Sequence, residues 1–451
     1  MSHIVAASRR RGRIQGILPV RLVPACALLV CAVLACTLLV GSAAATDAAG
    51  AGPPTSLLVR NATVYTVTRE STAPLAATDV LVQDGRIAAI GSGLAAPAGV
   101  RVIEAEGRAL TPGIFGGLGH LGLEEIGLEQ TTGDYAHRLG QMRPEFDVTL
   151  AFNPESMSLG VNLVNGVTFS VLTPAAAWGG SLVAGLGAPV GLDGSAPGTV
   201  RAMFIDLGGD ANDLSGGSRA AQFMLLRQAF VEARAPNLVM VHDERLLSPS
   251  GRQVLLEFIK ANGLFVFDVD RAIDIRNTLA FVREEKLNAA IRGGAEAWRV
   301  AGELAAAGIP VILDPLDNLP DSFDKVGATL ANAARLHAAG VRVAVSIRDT
   351  GIDDAGKTRQ AAGNAVAHGL PRAQGIAAVT RVPAEIFGVA DRHGSIEPGR
   401  IADLVLWSGD PLEASSLPDL VVTGGRLQAL ESRHTALRDR HYERVKSGAA
   451  R

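Results

Sequence analysis

Residues 79–91, "DVLVQDGRIAAIG", and residues 420–430, "LVVTGGRLQAL", carry one pattern at opposite ends of the chain. Each is an apolar run, an Asp-Gly or Gly-Gly pair, an arginine and a second apolar run. Two residues that tolerate positive φ between such runs predict a β-hairpin with a type I′ turn. A third β-rich stretch, "HGSIEPGRIADLVLW" (393–407), precedes the second hairpin. The two chain ends are therefore expected to share one small β domain, with the middle of the chain forming a separate body.

The middle alternates short apolar runs with helical stretches. "LFVF" (264–267), "AAI" (289–291) and "PVIL" (310–313) each precede one, and "VRVAVSI" (341–347) closes the series. "NLVMV" (237–241) precedes "SPSGRQVLLEFIKANG", a helix with Ser248 as N-cap and Gly263 just past its end. Apolar runs without polar alternation suit buried parallel strands, and their alternation with helices predicts an α/β fold. The span 111–390 suits an eight-fold (β/α)8 barrel. An open doubly wound sheet fits the same periodicity, but the shared terminal β domain favours the barrel.

Composition sets the remaining bounds. The chain has 451 residues, is 48% hydrophobic and reads as globular. Arg9, Arg10, Arg11, Arg13 and Arg21 precede an apolar run over 23–40, followed by small residues at Ala43 and Ala45. That is the layout of a secretory signal, so an exported, periplasmic or secreted protein is expected. Left uncleaved, the same run is long enough to serve as a membrane anchor. Cys26, Cys31 and Cys36 all lie in it, so a mature chain has no disulfide, cysteine nucleophile or thiolate metal site. Residues 1–45 hold five arginines and no acid, which leaves 37 basic against 45 acidic residues beyond them. An acidic chain without a basic patch argues against a nucleic-acid partner.

The entry hairpin followed by "VIEAEGRALTPGIF" (102–115), and the exit stretch "TRVPAEIFGVADRHGSIEPGRIADLVLWSGDPLE" (380–413), resemble the amidohydrolase superfamily. The imidazolonepropionase-like and Xaa-Pro-dipeptidase-like members are the nearest in pattern. The resemblance implies a metal-dependent (β/α)8 TIM-like barrel with a small composite β-sandwich built from both chain ends. It implies hydrolysis of a C–N bond in a small molecule or dipeptide. The expected organisation is a signal peptide at 1–45, β-sandwich at 46–110 and 391–430, the barrel at 111–390, and a tail at 431–451.

The metal positions depart from the family's pattern. Its first strand ends Pro-Gly-x-x-Asp-x-His-x-His, which here becomes Pro112, Gly113, Gly116, Leu118 and His120. The next histidine position falls at Asp268 or Asp270, the following one at Gly293, and the last aspartate at Asp349. No lysine ends an expected strand to supply the family's bridging carbamate, and Glu244 is the one substitute in reach. His120, Asp268, Asp270 and Asp349 are thus the candidate metal ligands, with Asp349 also the candidate acid–base residue. Arg271 and Arg348 are the candidate substrate-binding cations. One histidine among carboxylates suits zinc poorly and a harder ion better. The bland readings are an ordinary hydrogen-bonded His120, and Asp268 and Asp270 paired with Arg271 or capping the next helix. The expectation is an exported amidohydrolase with one divalent ion or none. The alternative is a catalytically silent homologue that binds a ligand or serves as subunit to an active amidohydrolase.

Overall fold

The computed structural model describes residues 53–127, 129–235, 237, 244–317, 319–348, 352 and 354–446. The chain divides into units 1–49 and 50–451, and all of the described residues belong to the second. The expected signal at 1–45 therefore lies outside them.

Both chain ends build one eight-stranded sheet. Its strands are β1 (Leu57–Val64), β2 (Leu75–Gln83), β3 (Arg86–Gly91), β4 (Arg101–Glu104), β5 (Ala109–Pro112), β14 (Leu404–Trp407), β15 (Pro418–Thr423) and β16 (Arg426–Leu427). The order is β16-β15-β14-β5-β1-β2-β3, with β4 beside β1. All eight strands are bonded into one sheet, which wraps a single core including Leu57, Val80, Val82, Leu404 and Val422. Both expected turns form, with positive φ at Asp84 (49°) and Gly85 (76°), and at Gly424 (57°) and Gly425 (76°). The hairpin tips meet. Ala402 N–H donates to Gly85 O at 2.8 Å, and Gly425 N–H donates to Ala402 O at 2.9 Å.

The second body is an eight-stranded sheet in sequential order. It comprises β6 (Ile114–Gly119), β7 (Val167–Leu172), β8 (Val183–Gly191), β9 (Ala202–Asp206), β10 (Leu264–Val269), β11 (Asn288–Gly293), β12 (Val311–Leu313) and β13 (Val343–Val345). It is a nearly closed TIM-like barrel. At the seam Leu118 N–H donates to Ser346 Oγ at 2.8 Å.

One expectation is corrected here. The resemblance implies a pocket-shaping loop at the glycine-rich stretch 178–187, but half of it is strand: β8 starts at Val183 and runs antiparallel to both β7 and β9. Its connections, 173–182 and 192–201, are each ten residues long. That falls short of the dozen or so a parallel crossover needs, so the chain turns back. The run 237–241, apart from Asn237, lies outside the described residues. β9 pairs directly with β10 along Leu264–Asp268.

Buried polar groups fasten the terminal sheet to the barrel base. Asp403 Oδ2 accepts from Thr168 Oγ1 at 3.0 Å and lies 2.9 Å from His393 Nδ1, while Asp403 O accepts from Gly113 N–H. Trp407 Nε1 donates to Thr111 Oγ1 at 2.9 Å. Thr111 and Pro112 therefore belong to the sheet, and the barrel begins at Ile114.

The hairpin contact gives a test. A Cβ at Gly425 would lie 2.5 Å from Gly85 O, whereas one at Gly399, also at positive φ (87°), would meet nothing within 4 Å. Gly399→Ala should cost about 1 kcal/mol for its backbone conformation. Gly425→Ala should cost at least ~2 kcal/mol more, because backbone must move. Equal unfolding midpoints for the two variants would dismiss the stitched tips.

Candidate active site at the barrel mouth

Alternation along the barrel strands determines what reaches the mouth. Ala202, Phe204, Leu264, Val266, Ala290, Ile312 and Ala344 pack together inside the barrel. Met203, Ile205, Phe265, Phe267, Ile291 and Val343 pack outward against helices that include Arg219–Arg234 and Ala272–Glu285. Side chains alternate faces every residue. The next inward positions toward the strand C-termini are therefore Asp206, Asp268, Arg292, Asp314 and Ser346. Register sets three of them side by side, with Asp268 opposite Asp206 on β9 and opposite Arg292 on β11.

Charges of both signs meet in and beside this row. Asp268 Oδ2 lies 3.3 Å from Arg292 Nε, and its Oδ1 accepts from Arg348 Nη2. Arg348 Nη1 lies 3.3 Å from Asp270 Oδ2, and Asp270 Oδ1 accepts from Ala295 N–H at 3.0 Å. Asp314 fixes the turn that carries Arg348 by accepting its backbone N–H at 3.0 Å and that of Leu316 at 2.8 Å. Asp206 Oδ2 accepts from Ala176 N–H at 3.0 Å. A cavity of about 190 Å³ opens over the row, lined by Asp206, Asp268, Asp270 and Arg348, with Trp178 on its rim. Trp178 is 80% exposed.

Three carboxylates thus face two guanidinium groups. Burial, then the charge of Asp268, pushes Asp206 up to about 6. Burial likewise raises Asp270 to about 6, against the opposing pull of Arg348. His120 follows β6 and stacks on Tyr135, with ring centres 3.7 Å apart. Burial, then the nearby Arg292 charge, lowers it to about 4, so its imidazole is neutral at ordinary pH. Its Nδ1 is 3.9 Å from Glu124 Oε2, too far for a hydrogen bond.

Residues 262–428 match the profile of the amidohydrolase family. The fold is shared with an amidohydrolase from Thermotoga maritima MSB8 at a TM-score of 0.72 and 24% identity, covering 83% of this chain and 99% of that one. An adenosine deaminase from Xanthomonas campestris, solved with bound zinc, aligns at a TM-score of 0.50 and 18% identity, over 87% of this chain and 99% of that one. A 54-residue stretch is 46% identical to the urease subunit alpha of Staphylococcus aureus. It covers 12% of this chain and 9% of the urease subunit, so the chain spans under a tenth of that curated relative.

Amidohydrolases are typically metal-dependent, and the described mouth residues do not fit a divalent ion. Both oxygens of Asp268 face guanidinium nitrogens, and those of Asp270 face Arg348 and a backbone N–H. Leu118 is buried in the apolar barrel interior. A Cβ at Gly116 would come 2.7 Å from Val167 Cγ1, leaving an aspartate there no room. At Gly293 a Cβ would overlap Arg348 Nη2 and come 2.6 Å from Asp270 Oδ1. The space of that ligand position is filled by a guanidinium. Among the described residues no three His, Cys, Asp or Glu side chains converge as metal ligands.

The structure brings Asp268, Asp270 and Arg348 together, with His120 close to Arg292. It places Arg271 elsewhere: Arg271 starts the helix Ala272–Glu285 and grips Asp274 through two hydrogen bonds of 2.8 and 2.9 Å. Asp268 and Asp270 pair with Arg292 and Arg348 instead of Arg271. That helix is capped by Glu296, whose Oε2 accepts from Ala272 N–H at 3.0 Å. Glu244 does not line the cavity. Asp349, with His242 and Asp243, lies outside the described residues. Asp206, Arg292 and Asp314 escaped the sequence reading, although "AMFID" and "AAIRG" each end an apolar run on a charge.

The raised Asp206 predicts a pH dependence with a definite sign. Its contribution to stability is full below its ordinary value of 3.8 and is lost as pH rises through about 6. Asp206→Asn should therefore gain on the wild type between about pH 4.5 and pH 7.5, by on the order of 2 kcal/mol in urea unfolding. A difference independent of pH would mean that Asp206 titrates as an ordinary carboxylate.

Proposed function

We propose that this chain is an exported amidohydrolase that hydrolyses a C–N bond in a small amide, cyclic amide or dipeptide without the two-metal centre typical of its superfamily. The observation that carries this reading is Asp206, buried beside Asp268 at the C-terminal end of a barrel strand and titrating near neutrality. In TIM-like barrels that face builds the active site. A carboxylate of this pKa can take a proton from water as the water oxygen attacks the carbonyl carbon. The same carboxyl can return that proton to the leaving nitrogen as the C–N bond breaks. Arg348 and Arg292 supply fixed positive charge where the carbonyl oxygen becomes an oxyanion. The 190 Å³ cavity suits a small substrate. No helix among the described residues is long and apolar enough to cross a membrane. Any membrane attachment would then run through residues 23–40.

A second reading is favoured by the saturation of Asp268 and Asp270 by protein donors. A homologue so arranged binds a ligand at the mouth, or serves as subunit to an active amidohydrolase, without turnover.

A panel of N-acyl amino acids, cyclic amides and dipeptides, assayed with and without chelator, separates the two. The hydrolase reading expects turnover that survives chelation and falls at least ~100-fold in Asp206→Asn. A ligand that raises the melting temperature but is never cleaved supports the silent homologue. Activity abolished by chelation and restored by zinc would overturn both, and would direct attention to Asp349 and His242 as ligands.

A further inference from the structure

The complementarity between Gly293 and Arg348 has its own chemical meaning. A glycine at positive φ (84°) ends β11 where a side chain would project into the mouth. The guanidinium of Arg348, reaching in from just after β13, two strands along the barrel, fills that space. It binds a carboxylate with each of two nitrogens, Asp268 through Nη2 and Asp270 through Nη1. All three side chains are withdrawn from water, at 18%, 21% and 8% exposure. Asp314 anchors the backbone at Arg348, so the group is held from both ends.

We infer that the barrel mouth is a cation-binding site whose resident cation is the protein's own Arg348 guanidinium, seated over Gly293 between Asp268 and Asp270. Charge counting supports this. With Arg348 present, Asp206, Asp268 and Asp270 face two positive groups. Without it they face Arg292 and the more distant Lys325, with Asp314 adding a fourth carboxylate, an excess of negative charge that a free cation would neutralise. A buried carboxylate stripped of its partner is strongly unfavourable, so the vacated site should take up a free cation of matching size. Two classes qualify. Guanidinium ion reproduces the planar donor fork that the carboxylates already bind. A hard divalent ion suits an all-oxygen donor set. Arg292 stays beside Asp268 and weakens the second class relative to the first.

This inference extends the reading of the mouth as the functional site but does not rest on turnover, because its test reads binding and melting temperature. Arg348→Ala and the milder Arg348→Gln, which keeps a donor for Asp268 but no charge, are compared with wild type. Guanidinium chloride at low millimolar concentration, far below denaturing levels, and Mg²⁺ or Mn²⁺ are added separately. Wild type should show no rise in melting temperature with either. Both variants should melt several degrees lower and recover with guanidinium. They should bind about one divalent ion per chain, at least 10-fold more tightly than wild type, and guanidinium should compete with it. Adding Asp268→Asn to either variant should abolish both effects. The inference is overturned if wild type binds the divalent ion as tightly as the variants. It is equally overturned if neither variant recovers with guanidinium or gains an ion, or if the response survives Asp268→Asn.

Discussion

Asp268 is the residue on which the barrel mouth turns. Its carboxylate ends an otherwise apolar strand, "LFVFDV", so it points into a space with little water to solvate it. A charge in that position must be paired or neutralised. Arg292 approaches from the neighbouring strand and Arg348 from just after β13. Asp206 and Asp270 then adjust to what remains: with two positive groups against three carboxylates, holding all three ionised is costly, and burial raises both. Burial, helped by the Arg292 charge, keeps His120 neutral. Burial and this ionic row together bias the protonation of Asp206, Asp270 and His120.

The row is made possible by the fastening below it. Asp403, His393 and Thr168 tie the terminal sheet to the base of the barrel, and Gly113 hydrogen-bonds to the same segment. A Cβ at Gly113 would fall 2.7 Å from Asp403 Oδ2, so only glycine lets β6 leave the sheet at that angle. That departure sets where β6 enters the barrel, and hence the height at which Leu118 and His120 meet the mouth. The base of the barrel fixes geometry, and the opposite end carries charge.

Much of this could be read from the residues. The Asp-Gly and Gly-Gly turns are local chemistry, and both hairpins form where the turns predict. The apolar runs at 264–267, 289–291, 310–313 and 341–347 became strands because their order and their helices agree with one topology. β8 was missed because the resemblance implies a loop at that glycine-rich stretch. Its strand character comes from pairing on both sides, which no local signal reports. β9 was missed because "AMFID" lacks the β-branched enrichment of its neighbours and two long helices, not one, follow it. Half of the site was hidden for a related reason. The family's pattern directs attention to missing histidines, whereas the chemistry lies in what stands beside them. Arg292 precedes Gly293 by a single residue, yet only register reveals that it faces Asp268. Arg271, nearer in sequence to Asp268 and Asp270, is drawn away by Asp274, an i,i+3 partner on its own helix.

The residues at 293 and 348 are fitted to one another. Loss of ligands alone would leave buried carboxylates facing a void, a state that costs several kcal/mol per unpaired charge. At this mouth the loss of a side chain at 293 and the presence of a long cationic one at 348 match in volume, in charge and in direction. Gly293 can be nothing larger while Arg348 stays where it is, and Arg348 could not stay without Asp268, Asp270 and the Asp314 anchor. Each residue is explained by the others. The positive charge at the centre of the barrel mouth is carried on a covalent tether, the Arg348 side chain. A tethered cation cannot be removed by chelation or exchanged for another metal. It also cannot ionise a bound water as a metal does, which leaves the proton chemistry of any reaction at this mouth to the carboxyls that burial raises there, Asp206 and Asp270.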